Sequence, residues 1–531
     1  MNQASFDSGA CGCCRSRRRF LATACRLCAA AAVPAALTPL AAPIRAAPSD
    51  GRPVPDRPRV RLVFACFALK QNRPTWPHIG YDFIPETERV TAALQARCPQ
   101  VEFLPTIAHG PEDAQKLLAA GDAERIDGYV VYQMNNWVQV MQTIVASGKP
   151  TIVADFLFAG SGGFLTYTAA LRRAHRNFSV VASSAMADLA AATECFAVVK
   201  QGGSAADFAA ACDRVRQQRT RPETSAAGKA DPLSVAPMAQ CLEATKRAKL
   251  VTVGGAMQNV AKDIRQVLGI EVIPVEFKEL AEASERANRE QVQTVARRWQ
   301  RAARRVALQD AQTTLEHSAR NFLGQQAVMN KYQAEAITIN CLGCFYGGQL
   351  RAYPCLGYVE LLDGGLVGAC EADLLSTATM VTMKHLIGRP GFISDPVLDT
   401  SKRQIIYAHC VAATRVFGPA APANPFEILT HSEDRRGASV RSFLPLGYMT
   451  STMEIHPGRK EVLFHRAKAK ANVVLDRACR TKLAGEVVGD MERLFMHWDQ
   501  YGWHRVTFYG DLREPVRELA TALRLTFVEE A

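Results

Sequence analysis

The sequence predicts an α/β protein with two Rossmann-like parallel-sheet domains followed by a mainly β C-terminal domain. Three observations support this prediction. Apolar segments typical of buried strands alternate with helical segments over residues 59–385, which is the pattern of parallel sheets covered by helices. From residue 386 onward the predicted strands are shorter, and turns containing Pro and Gly separate them. The length of 531 residues also exceeds what one hydrophobic core supports, so several domains are expected.

The first 47 residues predict an export signal. Arginines at residues 17–19 are followed by an apolar, Ala-rich stretch to Leu40 and by small residues at 46 and 47. This order is typical of a twin-arginine signal, which the twin-arginine translocase reads, and it predicts a periplasmic or secreted location. A basic tail or a weak membrane anchor is the alternative, although Pro34 and Pro39 disfavour a stable spanning helix.

The chain divides into three predicted domains after a linker at residues 48–58. The first domain covers residues 59–180, and its predicted strands lie at residues 60–67, 101–103, 128–132 and 150–154. The second covers residues 181–385 and is expected to begin with an apolar strand near residue 179. The third covers residues 386–531, with strands predicted at residues 404–409, 440–444, 461–465 and 506–509 and a helix at residues 485–498.

Net charge argues against nucleic-acid binding. The chain carries a formal charge of +12, of which residues 1–47 contribute five units, leaving +7 for the remaining chain. This excess is modest for the length, so no nucleic-acid partner is predicted. The densest basic run, at residues 297–305, lies in a stretch from 276 to 332 with charges at helical spacing, which predicts a solvated helix face.

The cysteines do not predict a disulfide scaffold. Five of the sixteen lie in the signal segment, and the odd number that follows it cannot all pair within one chain. Proteins that fold before export do so in a reducing cytoplasm, so buried free thiols are expected, with one or two later disulfides left open. Cys341 and Cys344 have redox or zinc spacing, but without a second such pair buried thiols are the favoured interpretation.

Four chemically active residues lie at the edges of predicted strands. Glu371 follows an apolar strand and directly precedes a predicted helix at residues 374–386. Asp395 and His409 each end a strand, and His504 begins the last one. Ligands bind at the carboxyl ends of strands in open α/β sheets, so a shared metal site is the prediction. Helix capping or ion pairing is the alternative for the two carboxylates taken singly.

From about residue 336 onward the chain resembles the L-fucose isomerase and L-arabinose isomerase superfamily. The resemblance rests on residues 370–373, Asp395, His409-Cys410, residues 445–450 and His504, six residues before Gly510. It implies that Glu371, Asp395 and His504 hold Mn²⁺ or another divalent cation such as Mg²⁺. It also implies an intramolecular oxidoreductase that converts an aldose into a ketose, with Glu371 and Asp395 transferring a proton through a metal-bound ene-diolate. Homo-oligomers, trimeric or hexameric, are expected by analogy.

Residue chemistry agrees with these implications. Carboxylates with one imidazole suit manganese or magnesium better than a structural zinc, which favours thiolates. His409 is assigned to substrate binding, with metal ligation as the alternative. Asp373 lies in the first turn of a predicted helix, where an acid is favoured by the helix dipole alone.

Two residues of the first domain, Trp76 and Asn136, are candidates for binding a monosaccharide substrate. Sugars are commonly bound by aromatic faces and amide side chains, although both residues also fit ordinary loops. The export signal departs from the family, whose members work in the cytoplasm. An exported sugar-binding or sensing protein without catalysis is therefore the alternative function.

Overall fold

The computed structural model describes residues 57–224 and 227–531. The predicted signal segment, residues 1–47, and most of the predicted linker lie outside the described residues. The architecture is mixed α/β, with two parallel sheets followed by a mostly β part, so the predicted fold class is confirmed. Within the described ranges, every helix is too short or too polar to cross a lipid bilayer.

The first sheet contains five parallel strands. They are β1 (Arg59–Ala65), β2 (Glu102–Ala108), β3 (Gly128–Gln133), β4 (Thr151–Asp155) and β5 (Phe178–Val181), in the order β2-β1-β3-β4-β5. The central strands β3 and β4 are buried along their whole length, as their continuous apolar sequences require when helices cover both faces. The helices are Ile84–Arg97, Pro111–Gly121, Val140–Ala146, Ser161–Ala174, Met186–Glu194, Phe196–Lys200 and Ala205–Arg219.

Strand β5 lies in a different sheet from the one expected. The sequence predicts that β5 begins the second alternating block, whereas Phe178 of β5 pairs in parallel with Thr151 of β4, so that β5 completes the first sheet. The helices that follow it also pack on this sheet, through Leu189, Phe196 and Phe208. Alternation of strands and helices predicts each strand, but only long-range pairing decides which sheet a strand joins.

The second sheet contains four parallel strands. They are β6 (Lys249–Val253), β7 (Glu271–Val275), β9 (Ala336–Ile339) and β10 (Val367–Ala369), in the order β10-β9-β6-β7. The basic stretch predicted as helical forms three helices, with strand β8 (Arg305–Ala307) before the last of them. The helices of this region are Met238–Arg247, Gln258–Leu268, Phe277–Glu285, Arg289–Ala302, Ala311–Tyr332, Cys341–Tyr346, Cys355–Asp363 and Leu374–Ile387.

The third sheet forms a closed ring with one additional strand. Its strands are β11 (Phe392–Asp399), β12 (Gln404–His409), β15 (Met449–His456), β16 (Glu461–Asn472), β17 (Thr481–Val488), β18 (Arg505–Tyr509) and β19 (Thr526–Glu529). They follow the order β15-β18-β11-β12-β17-β16-β19, and β15 also pairs with β16, which closes six strands into a ring. Strands β13 (Phe426–Leu429) and β14 (Ser439–Ser442) join β8 in a small separate sheet. The helices here are Leu494–His497 and Arg513–Ala522.

The prediction of a helix at residues 485–498 is wrong over its first half. Residues Thr481–Val488 form β17, and the short helix Leu494–His497 follows, flanked by the 3-10 turns Met491–Arg493 and Trp498–Tyr501. β17 lies between β12 and β16 and pairs with both, so hydrogen bonds on two sides stabilise the extended conformation. Gly485 fits this position because a Cβ there would lie 2.7 Å from the Cβ of Ala467 on the neighbouring strand. Neighbouring strands therefore override the local helical pattern.

Candidate metal centre

Strand register in the third sheet brings Asp395, His409 and His504 together. Asp395 of β11 pairs with Ala408 of β12, the residue directly before His409. On the other side of β11, Ser394 pairs with Arg505 of β18, the residue directly after His504. Because β11 lies between β12 and β18, antiparallel pairing places both histidines beside the Asp395 carboxylate.

Glu371 reaches the same place from the second sheet. It lies two residues after β10, and its backbone adopts the left-handed conformation with φ of +63°, as does Ala372 with φ of +54°. The N–H of Ala372 donates to the carbonyl oxygen of Ile339 at 3.0 Å and so ties the turn to the neighbouring strand β9. This conformation costs about 1–2 kcal/mol for a residue with a Cβ, and such costs concentrate at functional sites. The turn therefore fixes the direction of the Glu371 side chain.

The four side chains form a compact buried cluster. The potential ligand atoms of Glu371, His409 and His504 all lie within 4.8 Å of one another. The Nε2 atom of His504 is 3.6 Å from Oδ1 of Asp395 and 4.0 Å from Oε2 of Glu371, and Nε2 of His409 is 3.8 Å from Oε1 of Glu371. All four residues are at least nine-tenths buried. This group could hold a metal ion.

Hydrogen bonding prepares His504 to act as a ligand. Its Nδ1 atom donates to Oδ2 of Asp373 at 2.9 Å, which directs Nε2 towards Asp395 and Glu371. Burial alone would lower the pKa of His504, but the Asp373 hydrogen bond and the charges of Asp395 and Glu371 outweigh it and raise this pKa to about 10. Carboxylate–histidine pairs of this kind orient the imidazole at metal sites.

Unsatisfied nitrogen atoms support a fit to a cation. Among the described residues, Nε2 of His504 and both ring nitrogens of His409 have no hydrogen-bond partner although they are buried. Burial lowers the pKa of His409, which favours the neutral imidazole that can bind a metal. A buried polar atom without a partner costs about 1–3 kcal/mol, and coordination to a cation would remove that cost.

Asp373 has a second role that its local sequence does not predict. As predicted from its place in the first helical turn, it caps the helix Leu374–Ile387, accepting from the N–H of Ser376 at 3.1 Å. Its other oxygen holds His504, a contact that the local sequence does not indicate. The Ser376 hydroxyl also donates to the carboxyl group of Glu454 in β15. Burial raises the pKa of Glu454 well above its usual range. Nothing in the sequence around Glu454 pointed to this position.

The set of clustered residues is larger than the predicted metal set. The predicted ligands are Glu371, Asp395 and His504, whereas the three residues whose ligand atoms all lie within 4.8 Å of one another are Glu371, His409 and His504. Asp395 lies beside this group, with its Oδ1 atom 3.6 Å from Nε2 of His504. His409 was assigned to substrate binding with ligation as the alternative, and its position permits both. The geometry brings all four together, while their individual roles stay predictions.

Trp76 and Asn136 lie together beside the first turn of helix Ser161–Ala174. A Cβ at Gly162 would lie 2.7 Å from the side-chain nitrogen of Asn136 and 3.6 Å from the ring of Trp76, so only glycine fits there. Asn136 accepts a hydrogen bond from the N–H of Gly163 at 2.9 Å. Their predicted part in sugar binding stays a prediction.

A stacked pair of indoles links this region to the cluster. The ring of Trp137 stacks on that of Trp503 with centroids 4.9 Å apart and planes 6° from parallel. Trp503 directly precedes His504, and Trp137 directly follows Asn136. The first sheet therefore contacts the segment that carries a cluster histidine within the same chain.

The eleven cysteines of the described ranges are all free thiols, and all except Cys195 are buried. Cys341 and Cys344 are among the buried ones, in agreement with the favoured interpretation of that pair. Cys370 and Cys410 directly neighbour Glu371 and His409 in the sequence, where they pack as small apolar side chains.

Comparison with known proteins gives a partial match. No family model matches the chain. Sulfoquinovose isomerases from Priestia aryabhattai and from Priestia megaterium are each 24% identical to it over 198 residues, which is 36% of this chain and 43% of the relative. Over that third of its length, the chain is similar to a sugar isomerase. It spans less than half the length of these curated relatives, and the narrower L-fucose and L-arabinose isomerase superfamily stays a prediction.

Two solved structures align with part of the chain, but neither indicates a common fold. A sugar-binding protein of a sugar ABC transporter from Bacillus halodurans is 10% identical, covering 62% of this chain and 87% of its own. An ABC transporter solute-binding protein from Agrobacterium vitis, bound with alpha-D-tagatopyranose, is 14% identical, covering 62% and 86%. Both have a TM-score of 0.17, which is too low to indicate a common fold.

Proposed function

We propose that this protein is a metal-dependent isomerase that interconverts an aldose and a ketose. One observation carries the proposal: Nε2 of His504 lies within 4.0 Å of the carboxylates of both Asp395 and Glu371, while Asp373 holds its other nitrogen. Three chain segments far apart in the sequence supply these groups. Similarity to sulfoquinovose isomerases supports the same reaction class.

Mn²⁺ is the proposed metal, with Mg²⁺ as a second choice. Glu371, Asp395 and His504 would hold it, with His409 as a further ligand or as a donor to a sugar oxygen. A donor set of carboxylates and imidazoles without thiolates suits these cations. When bound, the cation would polarise the carbonyl group of an open-chain sugar and orient the neighbouring hydroxyl.

The two carboxylates supply the proton chemistry. Aldose–ketose conversion moves one proton between adjacent carbons and another between their oxygens. Glu371 and Asp395 both lie within 4.0 Å of His504 Nε2, so one of them can remove the carbon-bound proton and return it to the neighbouring carbon. Burial of both side chains excludes the water that would otherwise solvate and weaken these bases.

The substrate is proposed to be a monosaccharide. Sulfoquinovose is one candidate because it is named in the relatives, and no residue identified in this chain selects it over other sugars. Export through the twin-arginine translocase to the periplasm or beyond, and assembly into a homo-oligomer, are part of the proposal. Export rests on the sequence alone, and the homo-oligomer rests on analogy with the superfamily that the chain resembles.

The experiment uses the purified full chain, stripped of metal by a chelator and then reloaded with Mn²⁺ or Mg²⁺. A panel of aldoses that includes sulfoquinovose is incubated in D₂O and followed by NMR. The expected result is ketose formation with deuterium entering at C1 of the ketose, because a carboxylate base that exchanges its proton with solvent returns a deuteron to that carbon. Measurable sugar binding without any ketose would instead favour the exported sugar-binding or sensing protein.

If no deuterium entered C1 even over many turnovers, the result would contradict a solvent-exchanging carboxylate base while leaving the isomerase activity in place. Activity that survives exhaustive chelation would contradict the metal dependence. The metal-stripped protein and the Glu371→Gln variant serve as the two negative controls.

A further inference from the structure

A cavity of about 190 Å³ lies between the first and third sheets, outside the metal cluster. We propose that it is a second binding site, for a small, uncharged polyhydroxylated molecule such as a monosaccharide or polyol, and that it binds without metal. The site goes beyond the proposed isomerase function and does not depend on it. At about 30 Å³ per water molecule, the cavity has room for roughly six waters.

One wall of the cavity is the carboxyl edge of the first sheet. Tyr132 of β3 and Asp155 at the end of β4 line it, with Ser183 from the segment after β5. Ligands of doubly wound sheets bind outside the carboxyl ends of the strands, where consecutive loops diverge. The cavity therefore lies at the carboxyl edge of the sheet, the edge at which such sheets bind ligands.

The opposite wall comes from the third sheet. Asp399 and Gln404 lie at the turn between β11 and β12, and Arg477 lies in the segment before β17. At about 3.4 Å per residue, Asp399 lies roughly 13 Å along β11 from Asp395. The two sites thus share one pair of strands but do not share residues.

Asp155 is the first indication of a ligand. Its side chain is 4% exposed, and its Oδ2 atom accepts a hydrogen bond from the hydroxyl of Ser161. Its Oδ1 atom has no partner among the described residues. Burial raises the pKa of Asp155 to about 7 against the lowering effects of Ser161 and Arg477. An unsatisfied buried oxygen is costly, and a ligand hydroxyl in the cavity would satisfy it.

Arg477 is the second indication. Its guanidinium lies over the ring of Phe156, 4.3 Å from the centroid, and its charge lowers the pKa of Asp155 while Oδ1 of Asp155 has no hydrogen-bond partner among the described residues. The remaining charged groups of the lining are already paired, Arg89 with Glu86 and Lys402 with Asp399. Asp155 and Arg477 thus provide one acceptor and one donor group that the protein leaves for a ligand.

The balance of charges defines the ligand class. Three basic and three acidic side chains line the cavity, so no net field favours an anion or a cation. Two aromatic rings, Tyr132 and Phe156, stack with centroids 5.7 Å apart and offer an apolar surface. A carboxylate, a guanidinium and aromatic faces together match a molecule with several hydroxyls on a carbon skeleton.

The test measures binding of neutral monosaccharides and polyols to the full-length protein in excess EDTA, by calorimetry and ligand-observed NMR. Binding is expected without metal, and Asp155→Asn and Arg477→Gln should each weaken it about tenfold, the loss of one hydrogen bond to a charged group. Glu371→Gln should leave this binding unchanged. Arg466→Gln is the matched control, since Arg466 pairs with Asp511 outside the cavity lining.

Three results would overturn the proposal. These are no binding of any neutral sugar or polyol in EDTA, binding of sugar acids in preference to neutral sugars, and loss of binding in Glu371→Gln but not in the cavity variants. If Asp155→Asn fails to fold, the half-buried Arg477 variant decides alone. Because metal is absent throughout, failure here leaves the isomerase proposal intact, and an inactive isomerase leaves this site intact.

Discussion

The imidazole of His504 donates to the carboxylate of Asp373 across 131 positions of sequence, with Nδ1 and Oδ2 2.9 Å apart. This bond joins the strand β18 of the third sheet to the first turn of a helix that follows the second sheet. It orients the imidazole so that Nε2 points towards Asp395 and Glu371. The metal cluster therefore depends on the contact between the two sheets.

Replacing Asp373 separates its two roles. Asp373→Ser keeps an oxygen that can cap the helix but is too short to reach His504, so Mn²⁺ affinity should fall about 10–100-fold while helix content is kept. Asp373→Asn retains an acceptor at the same length and should restore part of the affinity. Titration with Mn²⁺ and circular dichroism measure the two effects. Wild-type affinity in the Ser variant would mean that Asp373 only caps the helix.

Glu371→Gln tests the carboxylate at the strained turn. The amide keeps the shape but cannot act as a base or contribute negative charge, so we expect turnover to fall by about 10²–10⁴ and Mn²⁺ binding to weaken. Steady-state kinetics at saturating metal measures the change. Glu335→Gln is the matched control, because Glu335 pairs with Lys384 and His385 and is not part of the cluster. Equal losses in both variants would contradict a specific role for Glu371.

The indole pair of Trp137 and Trp503 should couple the first sheet to the metal cluster. In a double-mutant cycle of Trp137→Leu and Trp503→Leu, we expect a coupling of about 0.5–1.5 kcal/mol in the free energy of unfolding. Urea denaturation measures it. Trp137→Leu combined with Trp299→Leu is the control, since Trp299 packs on Phe322 in another region and the effects should add within about 0.5 kcal/mol. Additivity in the first cycle would mean that the stack carries no energy.

Asp155 should make stability depend on pH. Burial raises its folded-state pKa from 3.8 to about 7, so between these values the folded protein holds a proton that the unfolded chain releases. The part of the free energy of unfolding that depends on this proton is therefore fully present below about pH 4 and is lost as pH rises through 7. Relative to wild type, Asp155→Asn should gain stability across this window, by on the order of 4 kcal/mol.

Chemical denaturation of both proteins at several pH values measures this gain. Asp122→Asn, at an exposed ion pair with Lys149, is the control and should show no rise of that size. A constant difference between Asp155→Asn and wild type from pH 4 to pH 8 would show that the buried carboxyl does not hold its proton.

Much of the fold could be predicted because its signals are local. The helix Leu374–Ile387 and the strand Gln404–His409 match their predictions to within one residue, since apolar periodicity and flanking turns mark both. Residues 485–488 were predicted as helix and form part of β17, because the neighbours that stabilise a strand lie far away in the sequence. The contact of Asp373 with His504 and the position of Glu454 escaped prediction for the same reason.

The sequence by itself determined the alternation of strands and helices, the β-rich end of the chain and the candidates Glu371, Asp395, His409 and His504. These follow from residue type and spacing, which act over a few positions. Only the tertiary structure decided which candidates meet, that β5 completes the first sheet and that Asp373 holds His504. Such contacts depend on strand register and on packing between sheets, where the energy comes from partners tens to more than a hundred residues apart.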